Sequence, residues 1–314
     1  MTSLWRSCVL IIPSELKEFV ENNPKLVQRR ESKRYPGLFV LKYDRKVFYD
    51  NLWHLNPLLK ECRGLVVDEN YNVIIKPFTK VFNYQENGTT IDRDELCTVV
   101  RKVNGFMGVA TYAPGITDKI IYSTTGSLDS DFVDLIEKHV KQYEDKFKNG
   151  QPCSYIFEIC DPSDPHIIPE QEGAWLIGCM PQGRQLNEYE LNLLSYHLGC
   201  KRPETMFNVR FSNAVNMANK CDHEGYMVYG NVSGTALKIK SPYYLTTKFL
   251  ARAGEKKLLE GVLSENSLSA RQRFDEEFYP LLDYLFDNKQ QFLTADEQTR
   301  IGIIREYLKE NNNE

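Results

Sequence analysis

Gly225-Tyr-Met-Val-Tyr229 and Ala236-Leu-Lys-Ile239, joined by Gly230-Asn-Val-Ser-Gly234, read as two strands and a turn. β-Branched and aromatic residues favour a pleated, half-buried surface, and a link rich in Gly, Asn and Ser supplies the reversal. In Leu237-Lys-Ile-Lys-Ser241, strand alternation puts Lys238 and Lys240 on one face, two residues apart. Two ammonium groups so placed repel each other unless they share an anion. Glu224, immediately before the first strand, adds a carboxylate at its head.

The same texture extends towards the N-terminus. Gly37-Leu-Phe-Val-Leu-Lys-Tyr43, Arg63-Gly-Leu-Val-Val67 and Val73-Ile-Ile-Lys76 are strand-like, with Asp68-Glu-Asn-Tyr-Asn72 as a hairpin turn between the last two. Phe106–Tyr112 and Lys119–Tyr122 are further strands, and Tyr155–Ile159 and Ala174–Cys179 read as buried ones. Helical spacing marks residues 14–32, with a break at Pro24, and Asn187–Leu198. It also marks Asp129–Lys148, with Phe132, Leu135, Ile136, His139 and Tyr143 as the apolar stripe. After Pro242 the pattern turns helical, as in Phe278–Phe286 and Ala295–Leu308. The expected class is α+β: a body of antiparallel sheets and helices over residues 1–242, then a small all-helical C-terminal domain over 243–314.

Composition narrows the function. The 314 residues are 42% hydrophobic and carry a formal net charge of -4, enough for a sizeable core but without the basic bias of a protein that coats nucleic acid. A nucleic-acid surface would have to be a local patch. The eight cysteines (Cys8, Cys62, Cys97, Cys153, Cys160, Cys179, Cys200 and Cys221) contain no C-x-x-C pair, and the five histidines show no ligand spacing. Reduced thiols are expected rather than a zinc site or a disulfide framework. The apolar run Cys8 to Ile12 is too short for a signal peptide and meets Pro13, and no stretch approaches a membrane span. A cytoplasmic protein is expected, in the host cytoplasm if the source is viral.

Four short motifs carry chemistry, and each has an ordinary alternative. Lys102-Val-Asn-Gly105 lies between strand-like segments. It is an exposed turn, or it presents a lysine to a phosphorus centre. A free lysine is neutral in only about one molecule in 2,500 at pH 7, so a nucleophilic one needs burial, nearby cations or a metal. Gly105 would let the backbone pass close to a nucleotide, and Asn104 could hold a ribose hydroxyl or the turn. Tyr155-Ile-Phe-Glu158 ends in a carboxylate that is a plain strand-end glutamate or a holder of metal-bound water. Glu224-Gly-Tyr-Met-Val228 is a turn before a strand or a magnesium-facing carboxylate. Lys238 and Lys240 make a solvated face or a triphosphate clamp.

In this order, with spacings of 56, 66 and 14 residues between Lys102, Glu158, Glu224 and Lys238, the motifs resemble those of the covalent nucleotidyltransferases, which include DNA ligases, RNA ligases and mRNA capping enzymes. Within that superfamily the chain most resembles the phage-type RNA ligase 1 family, over about residues 37–245. Glu61-Cys-Arg-Gly-Leu-Val-Val67, Lys76-Pro-Phe-Thr-Lys-Val-Phe-Asn83 and Tyr122-Ser-Thr-Thr-Gly-Ser127 look like segments of that family. The resemblance implies a nucleotidyltransferase (ATP-grasp-like) fold, with Lys102 as the adenylylated nucleophile. It implies Glu158 and Glu224 as metal-orienting carboxylates and Lys238 and Lys240 as phosphate-neutralising cations. By the same resemblance Arg63 contacts the triphosphate, while Lys80 and Phe82 position the nucleotide. One departure is Asn104, where the superfamily commonly has Asp; an amide can bond ribose but carries no charge to a metal.

The implied reactants are ATP, Mg2+ (or Mn2+ in its place), and RNA with 5′-phosphate and 3′-hydroxyl ends, handled by a monomer without a membrane. Broken tRNA, nicked duplex and single strands all remain open as substrates. Met227 is the candidate to stack on adenine, with core packing as its alternative. His166, in Asp161-Pro-Ser-Asp-Pro-His-Ile-Ile168, is either a substrate contact or a structural histidine. A DNA ligase would share the chemistry, but it usually continues into a β-rich module where this chain reads as helix. A degenerate module that binds nucleotides or RNA ends without chemistry is the other alternative.

Overall fold

The structure, a computed structural model, describes residues 11–181, 184–253, 274 and 278–310. Cys8, the start of the apolar N-terminal run and the stretch 254–273 of the expected helical tail lie outside the described residues. In chain order the first elements are α1 (Pro13–Asn22), β1 (Val27–Glu31), β2 (Phe39–Tyr43), α2 (Arg45–Tyr49), α3 (Leu58–Glu61), β3 (Arg63–Val67) and β4 (Val73–Ile75). Next come β5 (Leu96–Arg101), β6 (Phe106–Tyr112), β7 (Ile120–Thr124), α4 (Asp131–Val140), α5 (Glu144–Lys148), β8 (Cys153–Cys160) and β9 (Gly173–Pro181). The chain continues with α6 (Glu188–Leu198), β10 (Thr205–Arg210), α7 (Phe211–Ala218), β11 (Gly225–Gly230) and β12 (Ala236–Lys240). It closes with α8 (Pro242–Ala253), α9 (Tyr279–Asp287), α10 (Lys289–Thr294) and α11 (Glu297–Glu310). The class is α+β with antiparallel sheets and C-terminal helices.

Two compact units emerge. The first takes the described residues up to Lys80, Gly105–Pro165 and Glu170–Pro203; the second takes Val81–Asn104, His166–Pro169 and the described residues from Glu204 onward. The first unit holds two four-stranded sheets, β1-β2-β3-β4 and β7-β6-β8-β9, all of whose pairings are antiparallel. Strand β8 is buried along its whole length because it is covered on both faces. Tyr155, Phe157 and Ile159 pack with Val133, Ile136 and Val140 of α4 and Leu191 and Leu198 of α6. Ile156 points the other way, with Val109, Ile121, Val40, Val66 and Ile75, and so joins the two sheets. Period-2 alternation thereby fixes Glu158 on the Ile156 side of β8.

The second unit holds the sheet β10-β5-β11-β12. One face, formed by Cys97, Val99, Tyr226, Val228, Leu237 and Ile239, packs on Phe211, Ala214, Val215 and Ala218 of α7. The helices after β12 build a separate apolar cluster from Leu245, Phe249, Phe278, Leu281, Leu282, Leu285, Phe292, Ile304 and Leu308, which also takes in Ile168.

Three local expectations are corrected. Residues 27–31 are not helix but strand β1, because Val27 to Glu31 pair in register with Tyr43 to Phe39; tertiary pairing overrides a weak helical spacing. The helix over 129–148 is broken into α4, a 3-10 turn at Lys141–Tyr143 and α5. Its inward residue is Val133, while Phe132 is 41% exposed and meets Phe106 edge-on. Glu158 does not end its strand but lies inside β8, buried. The seven described cysteines are free thiols.

Candidate active site

In the second unit, Lys102 leaves β5 at its end, and its N–H donates to the Gly225 carbonyl at 2.9 Å, tying it to the start of β11. Gly225 is at φ +126, and a Cβ there would stand 2.0 Å from the Ile239 carbonyl oxygen, so only glycine allows β11 and β12 to close here. That closure sets Glu224 beside Lys102. The Lys102 Nζ lies 2.8 Å from Glu224 Oε2, and the same oxygen accepts from Asn104 Nδ2 at 2.9 Å. Lys240 Nζ is 4.0 Å from Glu224 Oε1. Asn104 uses its other amide atom as well, its Oδ1 accepting from the Ile168 N–H at 2.9 Å.

The Glu224 side chain is only 4% exposed, against 21% for Lys102 and 11% for Lys240. Burial by itself pushes the Glu224 carboxyl up. The charges of Lys102 and Lys240, with the hydrogen bonds from Lys102 and Asn104, outweigh that and hold it below the ordinary carboxylate range. A buried carboxylate thus stays ionised because it is paired.

Lys238 and Lys240 alternate with the buried Leu237 and Ile239, as strand spacing requires. Met227 stands opposite Lys238 on β12 and Val100 on β5, on the face away from α7. The Phe82–Tyr84 segment runs beside β12: the Lys238 N–H donates to the Phe82 carbonyl at 3.0 Å, and the Tyr84 N–H donates to the Lys238 carbonyl at 2.8 Å. Phe82 is buried. The structure therefore gathers Lys102, Asn104, Glu224, Met227, Lys238, Lys240 and the Phe82 backbone around one sheet.

In the first unit, the Gly105 N–H donates to Glu158 Oε1 at 3.2 Å. A Cβ on Gly105 would meet the Ile159 carbonyl oxygen at 2.3 Å, so the close approach that demands glycine is to β8. Glu158 pairs across to Met107 of β6, whose sulfur lies 3.7 Å from Arg63 Nη1. Lys80 is buried, with its Nζ 5.6 Å from the ring centroids of both Phe48 and Trp53. His166 is half-buried, next to the Ile167–Ile168 pair that packs with the C-terminal helices.

An RNA ligase family model matches residues 61–249, more than half of the chain. The chain belongs to the RNA ligase family. Among curated proteins no sequence relative matches the ligase. An archaeal ATP-dependent RNA ligase (form 2) superposes with a TM-score of 0.60 at 15% identity, covering 96% of this ligase and 78% of that chain. A protein from Aquifex aeolicus described as a putative ATP-dependent DNA ligase gives 0.56 at 14% identity, covering 93% and 77%. Both likenesses speak to the fold, which is that of ligase nucleotidyltransferases. An RNA ligase from Naegleria gruberi, solved as a mutant with ATP and Mn, gives a TM-score of 0.40 at 14% identity over 49% of this ligase and 52% of that chain.

Sequence reasoning missed two contacts in the ligase. Met107 is the cross-strand neighbour of Glu158 and touches Arg63, but only the β6–β8 register reveals that. The Ile168 N–H, which fixes the Asn104 amide, is a backbone group with no sequence signal.

Proposed function

We propose that the ligase is ATP-dependent and joins a 5′-phosphate RNA end to a 3′-hydroxyl end through a lysine–AMP intermediate on Lys102, in RNA repair. The observation that carries this is the set Lys102, Asn104, Glu224 and Lys240, in which one buried carboxylate is shared by two half-buried lysines and a buried amide. Residues 1–242 are assigned to adenylyl transfer and 243–314 to a helical domain that selects RNA. Single strands, nicked duplex and broken tRNA are the candidate substrates.

The Lys102 nitrogen attacks the α-phosphorus of ATP; the P–N bond forms as the bond to pyrophosphate breaks. An oxygen of the RNA 5′-phosphate then takes the adenylyl group, breaking the P–N bond. Finally the 3′-hydroxyl oxygen attacks the activated phosphorus and AMP leaves. Glu224 orients the amine but is poorly suited to take its proton, since its carboxyl is held below the ordinary range. Lys238, Lys240 and Arg63 neutralise phosphate charge as it shifts. Lys80 and Phe82 position the nucleotide, Asn104 holds ribose, Gly105 admits the close backbone, and Met227 stacks on adenine.

Glu158 and Glu224, each in its own unit, are hard oxygen donors of the kind Mg2+ takes, with Mn2+ as a substitute. When bound, the metal would add two positive charges that screen the triphosphate. The test is incubation with α-labelled ATP and Mg2+, followed by a denaturing gel. Wild-type protein is expected to carry the label and Lys102→Ala to carry none; a labelled Lys102→Ala protein would refute the assignment. Ligation of 5′-phosphorylated RNA against DNA, with ATP against GTP, fixes the substrate.

A further inference from the structure

The last rung of the β8–β9 pairing is Cys160 opposite Gly173, so Asp161 and Glu172 stand at the two ends of the connection that follows it. Both carboxylates meet the last turn of α4. Asp161 Oδ2 lies 2.6 Å from His139 Nε2 and 2.6 Å from Lys138 Nζ. Glu172 Oε1 lies 3.3 Å from Lys138 Nζ and 3.8 Å from His139 Nε2. All four residues belong to the first unit. Nothing in the spacing of positions 139, 161 and 172 marks them as a set; strand pairing and helix packing bring them together.

One imidazole nitrogen and two carboxylate oxygens thus lie within 4.8 Å of one another. Around a tetrahedral Zn2+ with bonds of about 2.0–2.2 Å, neighbouring donor atoms stand roughly 3.3–3.6 Å apart. The two edges measured from His139, 2.6 and 3.8 Å, fall on either side of that spacing. The donors are held unequally. The Asp161 side chain is 2% exposed, and its Oδ1 accepts from the N–H and the hydroxyl of Ser163 at 2.9 and 2.6 Å, which leaves Oδ2 aimed at His139. The Glu172 carbonyl accepts from the Lys201 ammonium, while its side chain is half exposed and free to adjust.

Lys138 shows that a cation belongs at this point. Its ammonium touches the same two carboxylate oxygens, and it reaches them from solvent on a flexible stem, with the side chain 54% exposed. A salt bridge of an exposed lysine is weak. A divalent ion brings twice the charge and a coordinate bond to the His139 nitrogen.

We propose that His139, Asp161 and Glu172 form a site for a divalent transition-metal cation of the Zn2+ type, with Lys138 as the competing cation. Imidazole with carboxylates suits that class, whereas Mg2+ prefers an all-oxygen shell. The site shares no residue with Glu158 or Glu224, and it stands whether or not the adenylyl-transfer reading holds. Bound there, the metal ties both ends of the 161–172 connection to α4, which lowers the entropy cost of ordering that loop. The connection carries Ile168, whose N–H fixes Asn104.

The test is calorimetric titration of the full chain, stripped of metal by a chelator, with Zn2+ in an excess of Mg2+. Glu172→Gln keeps the shape of a half-exposed side chain and removes its charge, and it is expected to weaken Zn2+ binding at least about tenfold. His139→Gln, checked for folding by circular dichroism, is expected to weaken it as well. Lys138→Ala is expected to tighten binding at least about tenfold, the size of a lost charge-assisted hydrogen bond, and a merely structural ion pair has no reason to produce that gain. If neither wild type nor Lys138→Ala binds Zn2+, the site is wrong. It is equally wrong if Glu172→Gln or Lys138→Ala binds within about twofold of wild type, since the metal then sits elsewhere on the chain. Labelling by ATP is scored separately, so loss of the proposed function would leave this outcome readable.

Discussion

Glu224 is the residue on which the second unit's polar cluster turns. It lies buried against two ammonium groups and an amide, so removing its charge takes an anion from two cations rather than one. Glu224→Ala is expected to cost about 3–5 kcal/mol, the range for breaking a buried pair, seen as a fall in urea midpoint together with loss of adenylylation. The pH dependence has a definite sign. The folded carboxyl ionises below its unfolded value, so over the interval between them the unfolded chain holds more protons than the native one. The stabilisation is fully present above the unfolded value, about 4.3, and is lost as pH falls through the folded one. Urea midpoints between pH 6 and pH 3 should fall more steeply for wild type than for Glu224→Gln; equal slopes would mean the carboxylate is not held ionised by its partners.

Two glycines decide whether elements can meet. At Gly225 a methyl group would enter the Ile239 carbonyl, and at Gly105 it would enter that of Ile159. Each backbone contact is between strands that carry or flank a candidate site residue. Gly225→Ala is expected to destabilise by more than about 3 kcal/mol, since backbone cannot move aside as a flexible side chain can, and to abolish labelling by ATP; near wild-type thermal stability would contradict the register of β11 and β12. Helix α6 offers a milder case. Asn187 and Glu190 form a reciprocal capping box at its start. Asn187→Ala should cost about 1 kcal/mol in chemical denaturation and leave adenylylation unchanged.

In the whole molecule, the C-terminal helices share their apolar cluster with Ile168, whose N–H fixes Asn104. Phe278 is fully buried in that cluster. Phe278→Ala should therefore cost about 3–5 kcal/mol and also weaken adenylylation, measured as label incorporated at limiting ATP. Full activity alongside the lost stability would show that Asn104 does not depend on the helices. Cys62 and Cys97 are buried thiols whose pKa burial pushes up to about 12. Alkylation at pH 8 should reach them only on unfolding, with mass spectrometry as the readout.

The sequence alone determined most of the strands and the resemblance to RNA ligases, because period-2 alternation and strings such as Lys102-Val-Asn-Gly105 are local properties that survive without neighbours. It also determined that Lys238 and Lys240 share a face, which follows from the pleat alone. It misassigned residues 27–31 because a short polar strand such as β1 exists only through its partner β2. Only the tertiary structure decided that Glu224 serves Lys102, Asn104 and Lys240 together, and that Met107 bridges Glu158 and Arg63. Those facts depend on strand register and loop closure between residues up to 122 positions apart, as for Lys102 and Glu224, and no local pattern encodes a distance of that kind.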